Sequence, residues 1–361
     1  MSELVRVAQV LNQMDNGGIE SVVMNYYRHV DKEKVQFDFY INQDSSFPQR
    51  EELEDYGTKV FFLPSYSKVI NYHNTLYRAF KENKYKIVHV HLSTMSLFPL
   101  FAAWRAGIPV RICHNHSTAH KGEGKRTILK YVLRPFNKIF ATDYFACGEL
   151  AGRWMYGNQC FDVGKVTVMP NAIDTDKFCY DEEQRKRIRK ELNIPDNAFV
   201  IGHVGRFVYP KNHPFIIKTF EKLQQQYENA YLLLVGEGEL QEEIQHQVIQ
   251  MGITEKVIFT GVRQDVNYVY SAMDVFYLPS FYEGVAVVAW EAQANGLPVI
   301  TSTNVSKEVI CSDAVVQLDL EENMQHWIEK LTRAKRTKNT KVPDITDAVE
   351  KIQSFYIRRG R

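Results

Sequence analysis

Two glutamates eight positions apart, Glu283 and Glu291, are the side chains best suited by type and spacing to grip a polyhydroxylated ligand. They lie in Ser280-Phe-Tyr-Glu-Gly-Val-Ala-Val-Val-Ala-Trp-Glu-Ala-Gln-Ala-Asn-Gly-Leu-Pro-Val299. An apolar run ends at Pro279, a short loop holds Glu283 and Gly284, and a helical pattern follows until Gly296 and Pro298 stop it. In a strand, loop, helix, strand unit the loop sits at the carboxyl end of a parallel sheet, and the unpaired N–H groups of the next helix face any bound anion. Two helical turns span about 12 Å, the scale of a sugar-diphosphate-ribose chain. One acid at the helix mouth and one farther along therefore suit hydroxyls at the two ends of a nucleotide sugar. A solvated Glu283, with Glu291 complementing the helix dipole, is the plainer alternative.

Other chemistry-bearing groups also fall where apolar runs end. Asp15-Asn-Gly-Gly-Ile-Glu20 puts Gly17 and Gly18 at the start of a helix, where backbone can approach a phosphate; it is equally a turn. The Gly-x-Gly-x-x-Gly of a dinucleotide site is missing there. Cys113-His-Asn-His-Ser-Thr-Ala-His120 has three histidines but no accompanying carboxylate, so contact with sugar hydroxyls or a phosphate suits His116 better than metal. Gly205-Arg-Phe-Val-Tyr-Pro-Lys211 pairs a guanidinium fork, Arg206, with a point charge, Lys211, the combination expected around a diphosphate. Gly236 in Gly236-Glu-Gly-Glu239 marks a tight turn, and Gly261-Val262 offers backbone to a flat base. Asp174-Thr-Asp176 has the form of a metal clamp but follows Pro170-Asn171 in a connecting segment; a turn is expected and no divalent metal is predicted.

The elements that must position these groups alternate. Strand candidates are Val5–Leu11, Phe37–Ile41, Val60–Leu63, Ile87–His91, Val110–Asn115, Tyr144–Cys147 and Val166–Pro170, then Phe199–Val204, Tyr231–Val235, Val257–Thr260, Val275–Leu278, Val299–Ser302 and Val315–Leu318. Helical patterns lie between them, including Ile19–Val30, Asn71–Asn83, Lys125–Ala141 and Asp181–Leu192. The 361 residues exceed what one core usually serves, so two doubly wound Rossmann-like α/β domains facing across a cleft are predicted. The expected division is 1–170, 171–344 and a last helix within 345–361, with a solvated loop at Arg333–Lys341.

Forty-four Lys and Arg against forty-three Asp and Glu leave no global field for nucleic acid. Five scattered cysteines without a Cys-x-x-Cys pair suit reduced thiols in the cytoplasm. No apolar run is long enough to span a bilayer; Leu97–Trp104 is short and holds Pro99. Lys121, Lys125, Arg126, Lys130, Arg134 and Lys138, interleaved with Ile128, Leu129, Val132, Leu133 and Phe136, form a basic amphipathic segment suited to an anionic membrane surface or to a solvated face.

Together these segments resemble glycosyltransferase family 4, retaining enzymes of GT-B fold. The likeness runs over nearly the whole chain and is carried most specifically by the Glu283-x7-Glu291 element and by Gly205-Arg206 with Lys211. Gly17-Gly18, Pro170-Asn171-Ala-Ile-Asp174, Gly236-Glu-Gly238 and Gly261 support it, and His89-Val-His-Leu-Ser with Arg111-Ile-Cys-His-Asn-His-Ser-Thr points toward bacterial capsule, exopolysaccharide and O-antigen enzymes. The resemblance implies that Arg206 and Lys211 neutralise the donor diphosphate, that Glu291 holds the ribose and Glu283 the transferred sugar, and that N–H groups after Gly284, at Val285, Ala286 and Val287, meet the phosphates. Gly18 would close on the donor and His116 would contact the sugar near the reacting carbon. Ala172 stands where the family often has glycine, and the C-terminus looks short for it.

The resulting expectation is a metal-independent retaining transferase, without a cofactor, that moves a hexose or N-acetylhexosamine from a UDP-sugar to a lipid-linked saccharide. It would be cytoplasmic, with a peripheral contact on the inner face of the membrane through the Lys121–Lys138 region. A nucleotide-sugar-binding scaffold without turnover is the alternative from another class.

Overall fold

A computed structural model describes residues 4–15, 18–66, 68–116, 125–283, 285–337 and 340–360, with the backbone alone at 125–127. The chain divides into two compact units, Met1–Ala172 with Ile345–Arg361, and Ile173–Asp344.

In the first unit the order is β1 (Val5–Val10), α1 (Gly18–His29), β2 (Val35–Asn42), α2 (Arg50–Asp55), β3 (Val60–Leu63), α3 (Val69–Asn83), β4 (Ile87–Val90), α4 (Leu97–Arg105), β5 (Val110–Asn115), α5 (Lys125–Leu133), α6 (Asn137–Phe140), β6 (Asp143–Ala146), α7 (Glu149–Tyr156), α8 (Asn158–Asp162) and β7 (Val166–Val168). The strands form one parallel sheet of order β3-β2-β1-β4-β5-β6-β7. Alternate residues face opposite layers. Ala8, Val10, Val88, Val90 and Cys113 enter one core with α3, α4 and α7. The opposite face, with Gln9, Phe37, His89, His114 and Phe145, carries α1 and the last helix of the chain.

The second unit runs α9 (Glu182–Glu191), β8 (Phe199–Val204), α10 (His213–Gln224), β9 (Ala230–Val235), α11 (Gln241–Gln250), β10 (Val257–Phe259), α12 (Val266–Ala272), β11 (Val275–Leu278), α13 (Val287–Ala294), β12 (Val299–Ser302), β13 (Val315–Leu318) and α14 (Met324–Arg333). Its parallel sheet has the order β10-β9-β8-β11-β12-β13. Both faces are covered: Val200, Leu233, Phe276 and Val299 enter one core, and Ile201, Leu232, Val275 and Ile300 the other. The strand order reverses between β1 and β4 in the first sheet and between β8 and β11 in the second, the switch points at which doubly wound folds place ligands.

After Asp344 the chain returns to the first unit as α15 (Ile345–Gly360), sixteen residues whose Ile345, Ala348, Val349, Ile352 and Tyr356 are buried. Tyr356 meets Phe37 edge-on at 5.7 Å between centroids, and Phe355 meets Phe145 at 5.0 Å. Gly360 is seated against Val5, whose Cγ1 would lie 2.6 Å from an added Cβ.

Two sequence expectations need correction, and one helix lies where none was expected. The helix expected over Lys125–Ala141 is broken into α5, a 3-10 turn at Arg134–Phe136 and α6, because Pro135 cannot donate within a continuous helix. Leu97–Arg105 is a helix in spite of Pro99, which occupies its first turn, where no N–H is needed. Arg333–Lys341 is not simply solvated: the Arg336 guanidinium turns inward and donates to the carbonyls of Tyr270, Ser271, Met273 and Asn295.

Candidate functional site

In the second unit the loops after β8 and β11 are tied together by backbone and side chain. Asn212, in the left-handed region at φ 56°, donates from Nδ2 to the Pro279 carbonyl at 3.0 Å. The Phe281 N–H donates to Pro210 at 2.8 Å, and the Tyr209 and Phe281 rings stack at 4.8 Å. This lacing brings Lys211 and Glu283 together: Lys211 Nζ lies 2.6 Å from Glu283 Oε1, with their side chains 16% and 19% exposed. Ser280 Oγ donates to the same carboxylate oxygen at 3.3 Å. Arg206 is exposed and has no ion pair among the described residues.

Gly205 makes room for that lysine. A Cβ there would stand 3.1 Å from both Lys211 Cε and His203 Nε2. Gly236 takes φ +130°, its N–H donates to Gly261 at 2.9 Å, and a Cβ on it would lie 2.3 Å from the Gly205 carbonyl. The turns after β8, β9 and β10 therefore meet backbone against backbone, and Val262, 57% exposed, lies beside them.

Glu291 is the fifth of the eight residues of α13, past the first turn, so the helix dipole gives it little support. Its Oε2 accepts from the buried Tyr270 hydroxyl at 2.7 Å. Burial raises the Glu291 pKa, while the Tyr270 hydrogen bond and the charges of Lys177 and Lys211 pull it back. Burial raises the Tyr270 phenol, and the neighbouring carboxylate adds to the rise. Ala286 is the buried residue that opens α13, between half-buried Val285 and Val287. Gly284 and Gly17 lie outside the described residues. Asp174-Thr-Asp176 is part of a turn, in which Asp174 accepts from the Lys177 N–H at 3.1 Å and Thr175 Oγ1 donates to Asp344 at 2.5 Å.

His116 and Gly18 belong to the first unit. Gly18 begins α1, is exposed, and has open space where a side chain would project. His116 follows β5, with Nε2 2.9 Å from His91 Nδ1 and Nδ1 buried without a hydrogen-bond partner among the described residues. Burial lowers its pKa to about 4, with Asn171 opposing the shift, so the ring is neutral. Ala172 suits its place, buried with its N–H on the Pro170 carbonyl at 2.8 Å and without a left-handed φ.

Sequence reasoning passed over Tyr270, Ser280, Asn212 and Gln9. Tyr270 reads as an ordinary apolar helix position, and nothing local marks its hydroxyl as the partner of a carboxylate 21 residues away. His89 and His91 carry a usable signal in their i, i+2 spacing on a strand, which puts both rings on one face of the sheet, as it does for His114 and His116.

The basic amphipathic segment is only partly as expected. Arg134 donates to the Trp154 carbonyl at 2.8 Å and Lys138 to that of Tyr156, so these two cations are spent on α7. Apolar side chains stay out instead: Ile128 is 66% exposed and Ile139 64%, with Leu129, Val132 and Phe136 also open. Lys121 and the side chains of Lys125 and Arg126 lie outside the described residues. Among the described residues no helix is long and apolar enough to cross a membrane.

Comparison with known proteins agrees with this architecture. Residues 16–177 match the model of Glycosyltransferase Family 4, and residues 184–343 that of Glycosyl transferases group 1. The chain is 36% identical over 335 residues to the glycosyltransferase EpsF of Bacillus subtilis (strain 168), covering 91% of this chain and 87% of that one. It is 28% identical to the UDP-Gal:alpha-D-GlcNAc-diphosphoundecaprenol alpha-1,3-galactosyltransferase of Escherichia coli, covering 82% and 79%. Among solved structures, Anabaena HepE in complex with UDP superposes with a TM-score of 0.74 at 16% identity, covering 98% of this chain and 96% of that one. WaaG, a glycosyltransferase involved in lipopolysaccharide biosynthesis, superposes at 0.70 with 15% identity over 98% and 94%. With two parallel α/β sheets of this order and matches along nearly its whole length, the chain belongs to glycosyltransferase family 4 and has the GT-B fold.

Proposed function

We propose that this protein is a retaining glycosyltransferase that moves a hexose or N-acetylhexosamine from a UDP-sugar to a lipid-linked saccharide during synthesis of bacterial surface polysaccharide. The observation that carries the proposal is the Lys211–Glu283 pair at the β8/β11 switch point, beside an uncommitted Arg206. As the anomeric C–O bond to the diphosphate lengthens, negative charge grows on the phosphate oxygens. Lys211 and Arg206 neutralise it, and the N–H groups of Val285, Ala286 and Val287 add their dipoles. A metal ion is then unnecessary. Glu283 takes hydroxyls of the transferred sugar and keeps Lys211 directed, while Glu291, backed by Tyr270, takes the ribose hydroxyls. The acceptor hydroxyl attacks from the face the diphosphate leaves, the new C–O bond forms as the old one breaks, and its proton passes to a departing phosphate oxygen. No protein nucleophile is required.

The donor class follows HepE, whose structures hold UDP and UDP-glucose, and the lipid-linked acceptor follows the name of the Escherichia coli relative. The open apolar stripe of α5 and α6 is the surface that would rest on an anionic bilayer at the cytoplasmic face, with Lys130 on the same helix. Thermal denaturation with nucleoside diphosphates, with and without EDTA, tests the donor reading: UDP should raise the melting temperature equally in both. No rise with any nucleoside diphosphate removes the proposal; a rise abolished by EDTA removes its metal-free form. Retention is read from the anomeric configuration of the product, and membrane contact from flotation with anionic vesicles.

A further inference from the structure

On the face of the first sheet covered by α15, the switch point between β1 and β4 is filled by polar side chains. Gln9, His89 and His114 are almost completely buried, His91 is 5% exposed, and His116 follows the end of β5. The rings stack, with centroids 4.2 Å apart for His89 and His91 and 4.0 Å for His114 and His116. Ligand nitrogens of His89, His91 and His114 fall within 4.8 Å of one another. All of their nitrogens but His114 Nε2 are nevertheless engaged with one another, with Gln9, with His116 or with Tyr356 of α15, so the arrangement is a hydrogen-bond relay before it is a cation site.

The relay has a direction. Tyr356 Oη is 2.6 Å from His89 Nδ1, a length typical of a hydroxyl donor and short for an imidazole N–H. A phenol has one proton, so having given it to His89 it must accept from Gln9 Nε2, 3.3 Å away. Gln9 then presents Oε1 to His91, whose Nε2–H donates at 2.9 Å. A neutral imidazole that donates from Nε2 accepts at Nδ1, and His91 Nδ1 receives the Nε2–H of His116 at 2.9 Å. On the other arm His89 Nε2–H donates to His114 Nδ1 at 3.1 Å. All four rings therefore carry their proton on Nε2. Burial holds each of them neutral, as the lowered pKa values require. One arm ends at the Nδ1 of His116, near Asn171, and the other at the Nε2 of His114, and neither end nitrogen has a hydrogen-bond partner among the described residues.

We infer that Gln9 and Tyr356 are positioning residues for His116: acting through His91, they fix its tautomer and clamp its ring at the end of β5. The inference rests on the reading that His116 contacts the transferred sugar, and it gives α15 a part in the reaction that burial alone would not. Asn171 stands just before the chain leaves the first unit at Ala172, and Tyr356 lies on the helix formed after it returns at Ile345. His116 is thus held from both sides of the two crossings.

The test uses the full chain labelled with 15N-histidine, comparing ring nitrogen shifts at neutral pH with UDP-sugar turnover. In the wild type His91 and His116 should each show a single Nε2–H form. Gln9→Leu should mix the tautomers of both and lower kcat by roughly tenfold to a hundredfold, the scale of a small misplacement near reacting atoms, with donor KM unchanged. Gln9→Glu, which keeps the acceptor for His91 but loses the donor to Tyr356, should restore the single form of His91 and His116 and most of the rate while disturbing His89. Tyr356→Phe, which removes one oxygen, should disturb His89 and His114 first. An Nδ1–H or mixed form in the wild type overturns the inference, as does Gln9→Leu with altered tautomers and unaltered kcat. If the wild type turns over no nucleotide sugar, the transferase reading fails, and the tautomer spectra alone decide the relay.

Discussion

Lys211 and Glu283 meet at 2.6 Å across the loops that follow β8 and β11. Glu283 also accepts from Ser280 Oγ, so under the proposed function an arriving diphosphate would meet an ammonium already directed by a fixed carboxylate. Lys211→Ala should lower kcat for sugar transfer by about two to three orders of magnitude, the scale for losing a preorganised donor to developing charge. Circular dichroism and the melting temperature should change little. A rate within a few-fold of wild type would contradict the assignment.

Glu291 carries a signed pH dependence. Its pKa is raised in the fold, mainly by burial, so the folded state binds the proton more tightly than the unfolded chain does. The favourable contribution is fully present below the unfolded value and is lost as pH rises through the folded one. Glu291→Gln should therefore raise stability at neutral pH, with the gain shrinking toward acid, while weakening UDP affinity. Paired denaturation curves and UDP titrations over the same pH range check both signs.

The buried histidines push stability the other way. Burial holds the pKa of His89, His91, His114 and His203 well below the ordinary value, and lowers His116 and His213 to about 4. Their contribution is present above the unfolded value near 6.5 and is lost as pH falls toward the folded values. Each should remove roughly 1.4 kcal/mol per pH unit within that window. Urea denaturation should show a steep loss of stability below about pH 6, and a flat profile there would show the rings to be solvated.

Gly236 allows no side chain. At φ +130°, with the Gly205 carbonyl 2.3 Å from the place of a Cβ, Gly236→Ala must move the turn that carries Arg206 and Lys211. A loss of about 2–4 kcal/mol in urea unfolding is expected, together with weakened UDP binding.

Arg336 serves as a clamp. Its guanidinium donates to carbonyls of Tyr270, Ser271, Met273 and Asn295, at the end of the helix that supplies the Glu291 partner. Arg336→Ala should cost roughly 2–3 kcal/mol, because buried carbonyls lose their donor. The neighbouring Arg333→Ala should cost far less, and the two unfolding curves compare them.

Much of the architecture was legible in the residues themselves. Runs such as Val110–Asn115, Phe199–Val204 and Val299–Ser302 are strands over the spans their composition indicates, because parallel strands covered on both faces are rich in β-branched and apolar residues even where single polar side chains are buried among them. Boundaries shifted by a residue or two elsewhere, as at Tyr231 and Tyr144, where β9 and β6 each begin one residue earlier. Helix breaks were harder to read: Pro135 splits one expected helix, while Pro99 is tolerated in a first turn, and the difference depends on which N–H groups have partners.

From the sequence alone came the alternation of strands and helices, and the placing of Gly205, Arg206, Lys211, Glu283 and Gly236 where strands end. These follow from polarity and turn chemistry within a few residues of each position. Only the tertiary structure decided that Lys211 closes on Glu283, that Tyr270 backs Glu291, that Arg336 turns inward, and that four histidines, Gln9 and Tyr356 form one relay. Each of those contacts joins residues distant along the chain, and the order in which strands pair, which no local pattern encodes, brings them together.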